Sequence, residues 1–157
     1  MRAAVAALLL CLTAGCGDPR PPPVDRIEIR VSGWSAVDIA VDRGGKGSFR
    51  LSEPSPSGRA GSFSVTPLRF QRLRERLERY RNQAVPMTDE SARKFIEKEC
   101  PQDVPFVTDA GGVYIRWIGP DLDQHFMADL GCDRERQESR NKELLDIVKS
   151  LPVPLRW

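Results

Sequence analysis

The sequence predicts an α+β domain with a mainly antiparallel sheet, in the order β-β-β-β-α-α-β-β-α, and with the helices packed on one face. Three observations lead there. Apolar and polar residues alternate in short runs between 26 and 65 and again between 113 and 130, the period of half-buried strands. In three longer segments the apolar residues recur at helical spacing instead. Turn residues join successive strands directly, so hairpins rather than crossovers connect them, and each strand offers one apolar face for helices to cover.

The first strand is Arg26 to Val31, where charged and β-branched residues alternate strictly, and Ser32-Gly33 turns the chain. Ala36 to Val41 follows, with Val37, Ile39 and Val41 on one face and Asp38 on the other. The glycine-rich link from Asp42 to Gly47 leads into Ser48 to Leu51, completing an antiparallel meander. After an exposed loop from Glu53 to Gly61 comes a short strand, Ser62 to Val65. Thr66-Pro67 supplies an N-cap and a first-turn proline for a helix to about Arg81, whose buried stripe is Phe70, Leu73, Leu77 and Tyr80. A shorter helix spans Asp89 to Glu99, with Ala92, Phe95 and Ile96 inward. Beyond an irregular stretch from Pro101 to Gly112, Val113, Ile115 and Trp117 share one strand face. Gly119-Pro120-Asp121 turns into a partner strand, Gln124 to Leu130, with Phe126, Ala128 and Leu130 on the core side. The last helix, Glu135 to Ser150, buries Leu144, Ile147, Val148 and Leu151, and Pro152 stops it.

The first 15 residues belong to no fold. Arg2 precedes an apolar run from Ala3 to Leu12 and then small residues, the layout of a cleaved export signal. That run is about half of the ~20 residues a spanning helix needs. The segment Leu12-Thr13-Ala14-Gly15-Cys16 resembles the lipobox of bacterial lipoproteins, matching at Ala14-Gly15-Cys16 and departing at Thr13, where leucine is usual. The resemblance implies cleavage after Gly15 and lipidation of Cys16, which then anchors the chain in a membrane; several acyl chains make such an anchor stable. Asp18 stands one place beyond the position that signals inner-membrane retention in this family, so outer-membrane attachment facing the periplasm is the expected location. Residues 16–23, rich in proline, then form an extended tether of about 20 Å, and residues 24–157 a single domain.

Charge and cysteines narrow the classes further. The chain has 157 residues with 24 Lys and Arg against 22 Asp and Glu, a balance that argues against nucleic acid as a partner. Of its four cysteines, Cys11 leaves with the leader and Cys16 is lipidated, so Cys100 and Cys132 remain. In an oxidising compartment they are expected to form a disulfide, the competing readings being a metal pair or two free thiols. Neither has a second Cys or a His at zinc-finger spacing. A Cys-Pro at 100–101, a Thr-Asp at 108–109, a strand ending in Trp117 and a Gly-Cys-Asp at 131–133 resemble small uncharacterised exported proteins of Gram-negative bacteria, which implies a fold and no activity.

Little in the chain suggests catalysis. His125, the single histidine, shares a strand face with Asp123 and Asp129, a set that could act as a general base or hold a metal. That face is the expected solvent face, and one histidine with aspartates is a poor transition-metal set. No nucleophile motif is present, and Gly44-Gly45-Lys46-Gly47-Ser48 lacks the upstream glycine and the Ser or Thr that a phosphate loop needs next to its lysine. The first helix offers an arginine-rich surface, Arg69, Arg72, Arg76 and Arg79 among others, suited to anionic headgroups or an acidic partner or simply to solvent. The expectation is a lipid-anchored envelope protein without cofactor or metal, acting as a binding, inhibitor or accessory module with a protein partner. The alternative is a small periplasmic enzyme using His125 with Asp123 or Asp129.

Overall fold

The computed structural model describes residues 22–33, 36–52, 59–86 and 88–155. The leader, Cys16 and the tether as far as residue 21 lie outside the described residues, as do the loop at 53–58 and the side chains expected inward at 92 and 96. Seven strands form one sheet: β1 Arg26–Val31, β2 Ala36–Asp42, β3 Lys46–Ser52, β4 Ala60–Ser64, β5 Val85–Pro86, β6 Gly112–Gly119 and β7 Leu122–Asp129. The helices are α1 Pro67–Arg81, α2 Asp89–Glu99 and α3 Arg134–Lys149. Strand order is β4-β3-β2-β1-β6-β7-β5 and every neighbouring pair is antiparallel. The fold is therefore α+β with an antiparallel sheet.

Register explains why one face becomes the core. Ile27, Ile29 and Val31 of β1 stand opposite Val41, Ile39 and Val37 of β2 on one side, and Trp117, Ile115 and Val113 of β6 on the other. The alternation of three strands is thus in phase, and Phe126 and Ala128 of β7 extend the same apolar surface. Helix α1 lays Phe70, Leu73, Leu77 and Tyr80 on it, and α3 adds Leu144, Ile147 and Val148, followed by Leu151 and Val153. Thr66 caps α1 as expected, its hydroxyl accepting from the Arg69 N–H at 3.2 Å.

The β2–β3 hairpin turns through Arg43, Gly44 and Gly45. Gly45 has φ +85°, its N–H donates to the Asp42 carbonyl at 2.9 Å, and a Cβ there would overlap the Val65 carbonyl oxygen. Two aromatic–glycine pairs hold β3 to β4: Phe63 lies over Gly47, and Phe49 over Gly61, so each ring fills the space its partner leaves.

Three features differ from the sequence reading. The short strand β5 pairs Val85 and Pro86 with His125 and Gln124 of β7; two residues are too few to carry a periodicity. Strands β3, β4 and β7 each begin two residues earlier than expected, because cross-strand pairing continues through residues whose alternation is weak. Helix α2 sits at the β7 edge rather than squarely on the core face: Phe95 lies edge-on to Phe126 at 5.5 Å and to His125 at 6.3 Å, and those two rings belong to opposite faces of β7.

Cys100 and Cys132 are joined by a disulfide, with an S–S distance of 2.08 Å. It ties the end of α2 to the segment between β7 and α3. Around it, Arg140 of α3 pairs with Glu99 and donates to the Asp129 carbonyl at 3.0 Å, while Asp129 Oδ1 accepts from the N–H groups of Gly131 and Cys132 at 2.7 and 3.2 Å. Burial pushes the Glu99 carboxyl above its ordinary range, against the pull of Arg140.

Candidate functional site

The face of the sheet opposite α1 and α3 carries a shallow concavity of about 700 Å³ across β4, β3, β2, β1 and β6. Its shape follows from register. One cross-strand row reads Arg116, Glu28, Ala40, Ser48. Ala40 and Ser48 are too short to fill the space between the longer rows on either side. Above them runs Tyr114, Arg30, Asp38, Arg50, Ala60; below them Arg26 stands opposite Asp42 and Lys46 opposite Ser64, where Asp42 and Lys46 line a smaller neighbouring hollow. Small side chains thus form the floor, and charged ones the rims.

Most of the rim charges are paired. Arg30 meets Asp38 at 2.5 Å and Arg26 meets Glu28 at 2.9 Å. Arg116 grips Asp123 through two bonds of 2.7 and 2.6 Å and also faces Glu28 at 3.8 Å. That pairing holds Asp123 below the usual carboxylate range. Asp42 is engaged in the turn, its Oδ1 accepting from the Lys46 backbone N–H at 2.9 Å. On this face two cations have no ion-pair partner among the described residues: Arg50 and Lys46, flanking Ser48 on the outward face of β3. Partial burial raises the Tyr114 phenol above its ordinary range, so it stays a hydroxyl donor at the rim. The arrangement can orient carboxylates over a small-residue floor.

The residues singled out from sequence land elsewhere. His125 is 2 % exposed, which corrects the expectation of a solvent-facing residue. It does lie on the outer face of β7, opposite Arg116, but Phe95 at the edge and Tyr114 at 5.8 Å enclose the ring. Burial lowers its pKa and keeps the imidazole neutral. Asp123 is engaged by Arg116, and Asp129 by the turn before Cys132. Among the described residues no group of three or more His, Cys, Asp or Glu side chains could hold a metal ion.

The arginine surface of α1 is also smaller than its composition suggests. Arg79 pairs with Glu143 of α3 and stacks over Tyr80 at 4.8 Å, and Tyr80 itself donates to Glu143 at 3.0 Å. Arg76 donates to the Ser150 hydroxyl at 3.2 Å. Arg81 is buried and donates to the Pro22 carbonyl at 3.1 Å, fixing the start of the described chain against α1. Arg69 and Arg72 remain exposed without an ion pair among the described residues. The floor and rims of the sheet face went unnoticed in the sequence because they join single residues from five strands. The chemistry-bearing part, Lys46-x-Ser48-x-Arg50 alternating on one strand, was legible in principle.

The chain matches no protein-family model, and a search of curated proteins finds no significant match. Among the described residues no helix is long and apolar enough to cross a membrane.

Proposed function

We propose that this protein is a lipid-anchored binding module of the bacterial envelope, held by Cys16 and presenting its open sheet face to an acidic protein partner. The observation that carries the binding reading is the concavity on that face, with Ala40 and Ser48 in its floor, Arg50 at its rim and Lys46 in the smaller hollow beside it, neither cation ion-paired among the described residues. Two cations at fixed spacing on a strand suit carboxylates, and pairing of β3 with both β2 and β4 keeps that spacing rigid. An inhibitor or accessory role needs such a surface and no catalytic group. The lipobox resemblance of Leu12 to Cys16 supports the anchor, and Gly17 and Asp18 after the cysteine support the outer membrane, facing the periplasm.

The test is charge reversal. In crosslinked pull-downs from membranes, Lys46→Glu with Arg50→Glu should lose any partner that the wild-type chain captures in a salt-sensitive way, while Arg69→Glu with Arg72→Glu should retain it. Loss in the α1 variant and retention in the β3 variant would move the site to the helix and overturn the reading.

A further inference from the structure

We propose that β4 is a self-pairing edge, through which two copies of this chain join antiparallel with Ser62 at the two-fold axis. The argument begins with hydrogen-bond direction. Leu51 N–H donates to the Arg59 carbonyl and Val65 N–H to the Gly45 carbonyl, each at 2.8 Å. With the β3–β4 register, this makes Gly61 and Phe63 the residues whose backbone groups face β3. Ala60, Ser62 and Ser64 therefore aim their N–H and C=O groups outward, away from the sheet. Among the described residues no strand pairs with that side of β4.

The two edges of the sheet are treated differently. At one end β5 is two residues long and includes Pro86, a protected edge. At the other, β4 is the five residues Ala-Gly-Ser-Phe-Ser, without a charge or a proline. Natural edges of that length usually carry one of these guards.

The second copy is the occupant because the strand is self-complementary. An antiparallel register centred on Ser62 sets Ser62 against Ser62 and Ala60 against Ser64 of the other copy. All are small, uncharged and on the outer face, and all are residues whose backbone groups point outward. On the core face Gly61 would stand opposite Phe63 of the other copy. Each is already packed within its own sheet, Phe63 over Gly47 and Gly61 under Phe49, so neither brings a charge to this face of the pairing. No like charges meet anywhere along the strand. A two-fold axis of this kind runs perpendicular to the sheet, so both open faces would lie on the same side. Five-residue strands bury less than the roughly 1,200–2,000 Å² of a stable interface. The pairing should therefore be weak in dilute solution and strengthened wherever copies are confined together.

The mass of the full chain in detergent micelles, followed over rising concentration, tests this. The wild type should double in mass. Ser62→Lys and Ser62→Glu should each stay monomeric, because like charges then meet on the axis, and mixing the two should restore the dimer. Ser62→Pro should also stay monomeric with an unchanged melting temperature, since the lost N–H points away from β3. A wild type that stays monomeric overturns the proposal, as does a Ser62→Lys chain that still dimerises. A Lys–Glu mixture that fails to recombine overturns the register. Capture of a different protein on β4 by a monomeric wild type would assign the edge to that protein instead.

Discussion

His125 shows how burial decides what a titratable residue can do. Its ring, enclosed by Phe95 and Tyr114, has a pKa below the ordinary 6.5, chiefly because burial penalises the charged form. Above 6.5 neither the folded nor the unfolded chain carries the proton. Below it the unfolded chain takes one up while the folded chain does not, so stability falls until the lower folded pKa is reached. Each pH unit in that window costs up to about 1.4 kcal/mol. Denaturation midpoints measured on either side of 6.5 should show this slope in the wild type, and His125→Gln should flatten it. Asp123 works in a lower window: its depressed pKa stabilises the fold above the ordinary carboxylate value of 3.8 and that contribution disappears as pH falls further. Gly45 is a second residue whose environment leaves no choice. Its positive φ and the adjacent Val65 carbonyl predict that Gly45→Ala destabilises by about 2 kcal/mol, more than the ~1 kcal/mol of strain alone, in a urea titration.

At the scale of elements, the disulfide and its neighbours staple α2 to the β7–α3 junction. Helix α2 meets Phe126 and His125 through Phe95 and is joined by the disulfide at its end. Closing a loop with a sequence separation of 32 should contribute roughly 3–4 kcal/mol in the chain-entropy account. Cys132→Ser should therefore lower the melting temperature of the oxidised protein, with the Cys100→Ser/Cys132→Ser double variant no worse than the single. Two free thiols on titration of the wild type would contradict the bridge. Thr66→Ala should cost about 1 kcal/mol by removing the cap on α1, seen as a lower denaturation midpoint with unchanged slope.

For the molecule as a whole, the start of the described chain is pinned at one end of the sheet. Arg81 holds the Pro22 carbonyl, and Asp25 N–H donates to the Ile118 carbonyl at 2.8 Å, so the chain enters beside the β6–β7 turn. The loop bearing exposed Phe106 and Val107 hangs at the opposite end of the sheet, bridged to Cys132 and adjacent to Gly112 and Asp129. Under the anchored reading, Cys16→Ala should move the full chain from the membrane to the soluble fraction on cell fractionation, with the sheet face still competent to bind.

Strand and helix identities were readable from the chain because local periodicity alone encodes them: Ile27, Ile29 and Val31 alternate whatever they pair with, and Thr66-Pro67 starts a helix by backbone chemistry alone. The disulfide was readable from compartment and counting. The sheet order, the burial of His125, the commitment of Arg79 to Glu143 and the small-residue floor beneath Arg50 and Lys46 were not. Each depends on which residues far apart in sequence become neighbours, and the same β7 alternation serves a solvent-facing or a covered histidine. The sequence by itself determined the elements and their apolar faces; only the tertiary structure decided which polar face stayed open, because that depends on where α2 and the strand edges come to rest.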